Sequence, residues 1–366
     1  MAFIDPETLF MRRALELANA VLYTTTPNPR VGCVIVANGE IIGEGATQPA
    51  GGGHAEVQAI DDARRRGREV RGSTAYVTLE PCSHHGRTPP CTNLLIASGI
   101  AKVVAAVEDP NPLVAGGGLA QLRSAGIEVV HGICAEEARE LNIGFFSRMQ
   151  RGRPWIRMKV AASLDGKSAL LNGQSKWITS QAARDDGHHW RARACAVLTG
   201  IGTVAADDPA MTVRAVATPR QPFRIVIDSR MEIDPQAKVL DGGGTLVVAA
   251  CERPDKAHLL TDRGAEIVVL PNAHGKVELP RLMRLLGSRG INELHVEAGA
   301  KLNGSMLREG CVDELLVYLA PDLLGDGLNM FDLPRIDALD RKMGFSFHSV
   351  EQVGRDLRIL ARLLSN

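Results

Sequence analysis

Apolar residues recur along this chain with two periods, one near 3.6 and one near 2, and their alternation sorts it into helices and strands. Leu9, Phe10, Leu17 and Val21 recur at helical spacing behind Asp5-Pro6-Glu7, a capping aspartate, a first-turn proline and an acid at the positive helix end. Residues 31–37 and 41–45 are strand-like runs on either side of Asn38-Gly39, a two-residue pair suited to a tight hairpin. The pattern then predicts a helix over 54–66, a strand over 75–79, a helix after Cys91, a strand over 102–107, a helix near 119–124 and a strand over 128–132. A mixed sheet with helices on both faces, complete by about residue 148, accommodates this series.

A second series begins after Arg148-Met149-Gln150-Arg151-Gly152-Arg153-Pro154, a basic stretch with Gly and Pro that reads as a linker and as a helix end. Buried strands are expected at 155–162, 196–200, 224–228, 245–250, 266–270, 293–297 and 314–320, with helices at 180–193 and 280–289. A chain of 366 residues is long for one core. Two α/β domains are therefore expected, at 1–148 and 153–366.

Composition narrows the classes of function. Lys plus Arg and Asp plus Glu are 42 each, so the zero net charge offers no whole-protein attraction for nucleic acid or an anionic membrane. No run of about 18 apolar residues occurs, and the first residues lack a signal-peptide pattern. The odd total of 7 cysteines argues against a disulfide framework and for a reducing cytoplasm. Cys33, Cys134, Cys195, Cys251 and Cys311 stand in apolar surroundings, as core residues do.

Cys82 and Cys91 belong to something else. His54-Ala55-Glu56 is followed by Pro81-Cys82 and, after eight intervening residues, Cys91. One imidazole and two thiolates give zinc three protein ligands and leave a fourth position open, the arrangement of a catalytic rather than a structural site. Glu56, one turn into a helix, would face that position as proton carrier, the H-x-E and P-C pattern of zinc deaminases. The general pattern has two residues between the cysteines. Here there are eight, among them His84 and His85, which are further candidate ligands.

The segment 80–91 resembles the deaminase half of the bifunctional riboflavin-biosynthesis family, the diaminohydroxyphosphoribosylaminopyrimidine deaminase / 5-amino-6-(5-phosphoribosylamino)uracil reductases. Thr26-Pro27-Asn28-Pro29-Arg30-Val31-Gly32 and Asp109-Pro110-Asn111-Pro112 followed by Leu113-Val114-Ala115-Gly116-Gly117-Gly118 resemble other motifs of that family. The resemblance implies a cytidine-deaminase-like αβα fold and contacts from Asn28, Arg87 and Asn111 to the pyrimidine or its ribose phosphate. Asn suits ring amide edges and Arg a phosphate. One position departs: Thr47 stands where the family commonly has a substrate-holding histidine.

The resemblance continues through Lys159 to Lys167, Ser175 to Ser180, Gly200 to Thr203, Asp207 to Arg214 and Glu297-Ala298-Gly299. It implies a dihydrofolate-reductase-like αβ domain, NADPH as hydride donor, and a homodimer formed through that domain. Substrate contacts are implied at Lys159, Ser175, Arg191, Met211, Arg214 and Glu297. Cofactor contacts are implied at Ala161, Trp177, Thr203, Asp207, Ser229 and the run Gly299, Ala300, Lys301, Leu302, Asn303, Gly304 and Ser305. Residue chemistry agrees in two places. The run 296–305 leads from a strand into a helix whose first amides suit a pyrophosphate, and Ser229 or Arg230 suits a 2′-phosphate. Gly200 to Ala205 also fits a G-x-G-x-x-A fingerprint, but two strands precede it, whereas a Rossmann domain opens with its fingerprint. Together these readings expect zinc-dependent hydrolytic deamination of 2,5-diamino-6-ribosylamino-4(3H)-pyrimidinone 5′-phosphate, followed by NADPH-dependent reduction of the ribosyl chain.

Overall fold

The structure is a computed structural model that describes residues 5–84, 89–112 and 114–364. The chain divides into two compact units, Met1–Gly152 and Arg153–Asn366.

The first unit runs α1 (Pro6–Ala20), β1 (Gly32–Ala37), β2 (Glu40–Ala46), α2 (Ala55–Arg65), β3 (Thr74–Val77), α3 (Cys91–Ala97), β4 (Lys102–Ala105), α4 (Gly117–Ser124), β5 (Glu128–His131), α5 (Ala135–Leu141) and α6 (Ile143–Arg151). Asp5 caps α1, its carboxylate accepting from the Glu7 amide. Asn38 and Gly39, with φ of 52° and 77°, close the β1–β2 hairpin as a turn with positive φ at both central residues requires. The sheet order is β2-β1-β3-β4-β5, with β1 antiparallel to both neighbours and β3, β4 and β5 parallel.

Small residues set the depth at which α2 lies. A Cβ on Gly43 or Gly45 would come within 2.3 Å of Ala59 O or 2.4 Å of Ala59 N. Fully buried Ala55, Ala59 and Ala63 meet these glycines, so the helix is drawn against β2 and its first turn is held rigidly.

The second unit contains β6 (Trp155–Ser163), β7 (Lys167–Leu170), α7 (Gln181–Arg193), β8 (Ala196–Gly200), α8 (Ile201–Asp207), β9 (Phe223–Ile227), β10 (Thr245–Ala249), α9 (Pro254–Asp262), β11 (Ala265–Val269), α10 (Leu279–Ser288), β12 (Glu293–Val296), α11 (Ala300–Arg308), β13 (Glu314–Ala320), β14 (Gly327–Asn329), β15 (Phe345–Val353) and β16 (Asp356–Leu363). Its main sheet has the order β11-β10-β9-β8-β12-β6-β13-β16-β15, parallel from β11 to β13 and antiparallel beyond. β7 and β14 form a separate pair. The hairpin β15–β16 is absent from the sequence reading. It lies at the sheet edge with most of β15 exposed, so its side chains need no apolar run.

A buried charge cluster joins the central strands. Arg157 is 2% exposed on β6, with Nε 2.5 Å from Glu314 and Nη1 3.1 Å from Glu293. Arg193 shares the Glu293 Oε2 that Arg157 takes, Arg362 takes the other oxygen of Glu314, and Arg157 stacks 4.4 Å from the Trp190 ring. The guanidinium is therefore both paired and packed, which lets a cation sit inside a sheet.

Candidate active sites

His54 is the N-cap of α2, Cys82 follows β3 on a loop, and Cys91 opens α3 behind Pro90. These three elements bring their ligand atoms within 4.8 Å of one another. The His54 Nδ1 lies 3.6 Å from Cys82 Sγ and 3.3 Å from Cys91 Sγ. Ligands about 2.3 Å (sulfur) and about 2.1 Å (nitrogen) from a tetrahedral zinc stand roughly 3.6 Å apart, so the residues fit that ion. Among the described residues no fourth His, Cys, Asp or Glu joins the group. His84 is exposed and outside it. His85 and Arg87 lie outside the described residues.

Glu56 is 4% exposed on the first turn of α2. Burial, with the Cys82 charge nearby, pushes its carboxyl up to about 7. The two thiols differ sharply. The hydrogen bond from Cys91 holds Cys82 down at about 4, and the same contact together with burial raises Cys91. The Cys91 amide also points at Cys82 Sγ, at 3.4 Å. Such a pair presents a ready thiolate for a soft cation.

Asn28 and Asn111 are half-buried and lie on loops. The Asn28 amide donates to Thr25 O at 2.9 Å, and the Asn111 amide to Asp109 Oδ1 at 2.8 Å. Thr47 is 3% exposed and spends its hydroxyl on Val31 O at 3.4 Å, a backbone contact inside the fold. Sequence reasoning passed over Glu80, a 3%-exposed carboxylate that accepts from the amides of Asp109, Gly116, Gly118 and Leu119.

In the second unit several of the expected residues, among them Ser229, Thr203, Glu297 and Gly299, follow the carboxyl ends of adjacent parallel strands β9, β8 and β12, where open α/β sheets hold ligands. Gly200 ends β8 and packs on Leu302, and Thr203 of α8 lies beside Gly299, whose Cβ would stand 3.9 Å from Thr203 Oγ1. Asp207 pairs with Lys176 at 2.8 Å, and the exposed Trp177 ring stacks on Arg184 of α7 at 4.4 Å. The first amides of α11, at Ala300, Lys301 and Leu302, follow Gly299 as its N-cap. Asn303 and Gly304 are buried in the helix behind them. A Cβ on Gly304 would meet Asp332 O at 2.0 Å, and Asn303 Nδ2 donates to Ala298 O at 3.1 Å, so both serve packing. Ser305 Oγ donates to Lys301 O. Ser229 sits just past β9, its Oγ accepting from the Val277 amide at 3.3 Å. Ala161 is half-buried on β6 and Ser175 half-buried on a loop.

Arg191 and Glu297 face each other directly, Nε to Oε1 at 2.5 Å and Nη2 to Oε2 at 2.8 Å, with Nη1 donating to Thr212 O. Burial opposes charge on Glu297, but Arg191 outweighs it and holds the carboxyl well below the usual range. Burial lowers the Lys159 ammonium, although Glu297 works the other way. Lys159 Nζ lies 6.0 Å from the Tyr318 ring. His295, 1% exposed, brings Nε2 to 3.3 Å from Glu297 and had no signal in the sequence beyond its strand position. Met211 has φ of 54° and a side chain in the core, so what it can offer a ligand is backbone. Arg214 is exposed; its guanidinium donates to Thr212 Oγ1 at 3.3 Å and its amide faces His188 Nδ1.

These two sites define a class: a zinc-dependent deaminase unit and a reductase unit in one enzyme. Residues 5–107 match the cytidine and deoxycytidylate deaminase zinc-binding region, and residues 154–359 match the RibD C-terminal domain. The riboflavin biosynthesis protein RibD of Escherichia coli is 47% identical over 361 residues, covering 95% of this chain and 97% of its own. That of Aquifex aeolicus is 45% identical, covering 96% of each. The solved RibD of Acinetobacter baumannii superposes with a TM-score of 0.90 at 41% identity, over 98% of this chain and 99% of its own. A Thermotoga maritima protein described as a diaminohydroxyphosphoribosylaminopyrimidine deaminase/5-amino-6-(5-phosphoribosylamino)uracil reductase gives 0.87 at 35% identity, over the same shares. The chain belongs to the RibD family, the bifunctional deaminase/reductases of riboflavin biosynthesis, and its units have the expected cytidine-deaminase-like and dihydrofolate-reductase-like folds.

Proposed function

We propose that the chain deaminates 2,5-diamino-6-ribosylamino-4(3H)-pyrimidinone 5′-phosphate in its first unit and, with NADPH, reduces the ribosyl chain of the product in its second. The observation that carries the first half is the convergence of His54 Nδ1 on both thiols, with buried Glu56 two residues on in the first turn of α2.

His54, Cys82 and Cys91 would hold zinc, which when bound lowers the pKa of a water and so supplies a nucleophile near neutral pH. Glu56 accepts a proton from the attacking water and delivers it to the departing amino nitrogen, so that water and amine become carbonyl and ammonia. Its burial suits both duties, because a carboxyl near 7 can take a proton and give it back. Asn28, Asn111 and Arg87 are the proposed substrate contacts.

In the second unit NADPH, when bound, would supply the hydride for reduction at C1′ of the opened sugar. The α11 amides at Ala300, Lys301 and Leu302 suit its pyrophosphate, and Ser229 its 2′-phosphate. Trp177, Thr203, Asp207, Ala161 and Gly299 complete the proposed cofactor contacts. Asn303, Gly304 and Ser305 support the helix that presents those amides. Arg214 is the proposed phosphate anchor, since Arg191 is engaged with Glu297. Glu297 and Lys159 orient the sugar, with Ser175 and the Met211 backbone beside it. No protein nucleophile is needed, so orientation and charge carry this step.

The proposal extends to a cytoplasmic homodimer. Seven free cysteines support a reducing compartment, and no helix among the described residues is long and apolar enough to cross a membrane. Exposed Phe347 and Val350 on edge strand β15 support pairing through the second unit. Light scattering that returns the mass of one chain would exclude it.

The deciding experiment offers the aminopyrimidine to reduced, zinc-loaded protein with and without NADPH. Ammonia should appear in both, and NADPH oxidation only in step with the deaminated product. Absence of ammonia from zinc-loaded protein would sink the assignment.

A further inference from the structure

Among the described residues of the first unit, Glu80 is the buried acid with the most backbone donors, and the proposed chemistry does not use it. It lies beyond β3, 3% exposed, with its amide donating to Val107 O at 2.9 Å. Its carboxylate takes four backbone donors. Oε2 accepts from Asp109 N at 3.0 Å and Gly116 N at 2.9 Å. Oε1 accepts from Gly118 N at 2.8 Å and Leu119 N at 3.2 Å. The acid therefore holds both ends of the loop that carries Asn111, and it also meets the first turn of α4, where a negative charge is favoured.

The loop lies tightly over this anchor. A Cβ on Gly118 would come 2.1 Å from Pro81 O and 3.1 Å from Glu80 Oε1. Glu80 stands two residues before Cys82, whose carbonyl is in turn fixed by the Thr92 amide at 3.2 Å and hydroxyl at 3.3 Å. One short segment, Glu80-Pro81-Cys82, thus ties the loop bearing Asn111 to a metal-ligating thiol. Within the loop, Asp109 carries the tie forward through its contact with the Asn111 amide.

We propose that Glu80 is a positioning residue for deamination, holding the Asn111 loop in register with the Cys82 segment so that the pyrimidine is bound in reach of Glu56. The proposal rests on the reading of Asn111 as a substrate contact. A buried carboxylate with four amides cannot be replaced by an amide side chain without leaving donors unsatisfied or opposed. The loop then relaxes, while the zinc ligands and the second unit stay as they are.

The test uses the full-length, zinc-loaded enzyme, whose reductase activity is an internal control for folding. Glu80→Gln should raise the deaminase KM by about tenfold, the effect of weakening one or two such bonds. It should leave kcat within about threefold, zinc content at the wild-type level and reductase kcat/KM unchanged. Asn111→Ala should raise KM by itself, and adding Glu80→Gln should raise it little further, because both act on one contact. An unmoved KM in zinc-loaded Glu80→Gln overturns the proposal, and so does joint loss of zinc and activity, which would make Glu80 a support of the metal segment. If Asn111→Ala leaves KM alone, the reading of Asn111 is what fails, and Glu80 is judged on its own KM. Should Glu80→Gln not fold, Gly118→Ala, whose Cβ would meet Pro81 O and Glu80 Oε1, displaces the same loop while keeping the carboxylate. The same KM rise with zinc retained is expected, and an unmoved KM overturns the proposal.

Discussion

Arg191 on α7 closes on Glu297, just past β12, through two donors and two acceptors, at 2.5 and 2.8 Å. Both side chains are 16% exposed, so the pair is largely withdrawn from water. Removing one partner leaves a buried charge without its counterpart, which costs about 3–5 kcal/mol in such settings. Arg191→Met should therefore destabilise the second unit by about 3 kcal/mol. The double variant Arg191→Met, Glu297→Met should be less damaged than the sum of the singles. Tryptophan fluorescence during urea unfolding reads this directly, because all three tryptophans, Trp155, Trp177 and Trp190, lie in that unit. Simple additivity would show that the two residues do not act as a pair.

The same pairing supports the phosphate role proposed for Arg214, whose exposed guanidinium has a hydroxyl contact at 3.3 Å to give up. Arg214→Ala should raise the reductase KM for the phosphorylated substrate roughly ten- to a hundredfold, the loss of one charge-assisted contact. KM for a dephosphorylated analogue should stay unchanged. An equal rise for both substrates would place Arg214 elsewhere in the site.

Glu56 and the zinc ligands separate cleanly by substitution. Glu56→Gln should retain zinc and lose deamination by roughly 10²–10⁴-fold, the range for a proton-transfer group. Cys82→Ser or Cys91→Ser should lose the metal along with the activity. Reductase turnover on supplied deaminated substrate should persist in all three variants. Metal analysis beside ammonia release checks this, and zinc loss from Glu56→Gln would reveal a structural role instead.

What the sequence made legible follows from how locally each feature is encoded. Asn38-Gly39 sets a hairpin by its own backbone preference, and His54, Cys82 and Cys91 mark a candidate metal cluster by residue type, so both were readable in advance. Their convergence in space is a property of α2, β3 and α3 together. The hairpin β15–β16 escaped because an edge strand exposed over most of its length has no periodic apolar face. Glu80 escaped for a different reason: its partners are backbone amides 29 to 39 positions along the chain, which carry no sequence signature, while His295, two residues from Glu297 on a buried strand, reads like any core position. Arg191 was named from the sequence as a candidate site residue, yet its commitment to Glu297, 106 positions away, was not legible. The Gly304 packing against Asp332 likewise reads in sequence like any glycine of a cofactor-binding run.

His295 supplies a pH dependence for the second unit. Its ring is 1% exposed on β12, and burial lowers its pKa below the usual ~6.5, with Glu297 opposing and Arg191 and Arg157 adding to the shift. The sign follows from proton uptake. In the unfolded chain the imidazole protonates near ~6.5, while in the fold it stays neutral to lower pH, so the unfolded state binds more protons in that interval. Stability is then fully present above ~6.5 and declines as the pH falls through that value toward the depressed folded pKa. Glu297 and Glu314 are held low by arginine partners against the effect of burial, so their own losses begin at more acid pH. His295→Asn removes the titrating ring. Its unfolding midpoint, followed by tryptophan fluorescence, should be lower at pH 8 because volume is lost from the core. Between pH 7 and pH 5 it should fall less steeply than that of the parent protein. Parallel midpoint curves for the two proteins across that interval would mean that His295 protonates alike in the folded and unfolded chain.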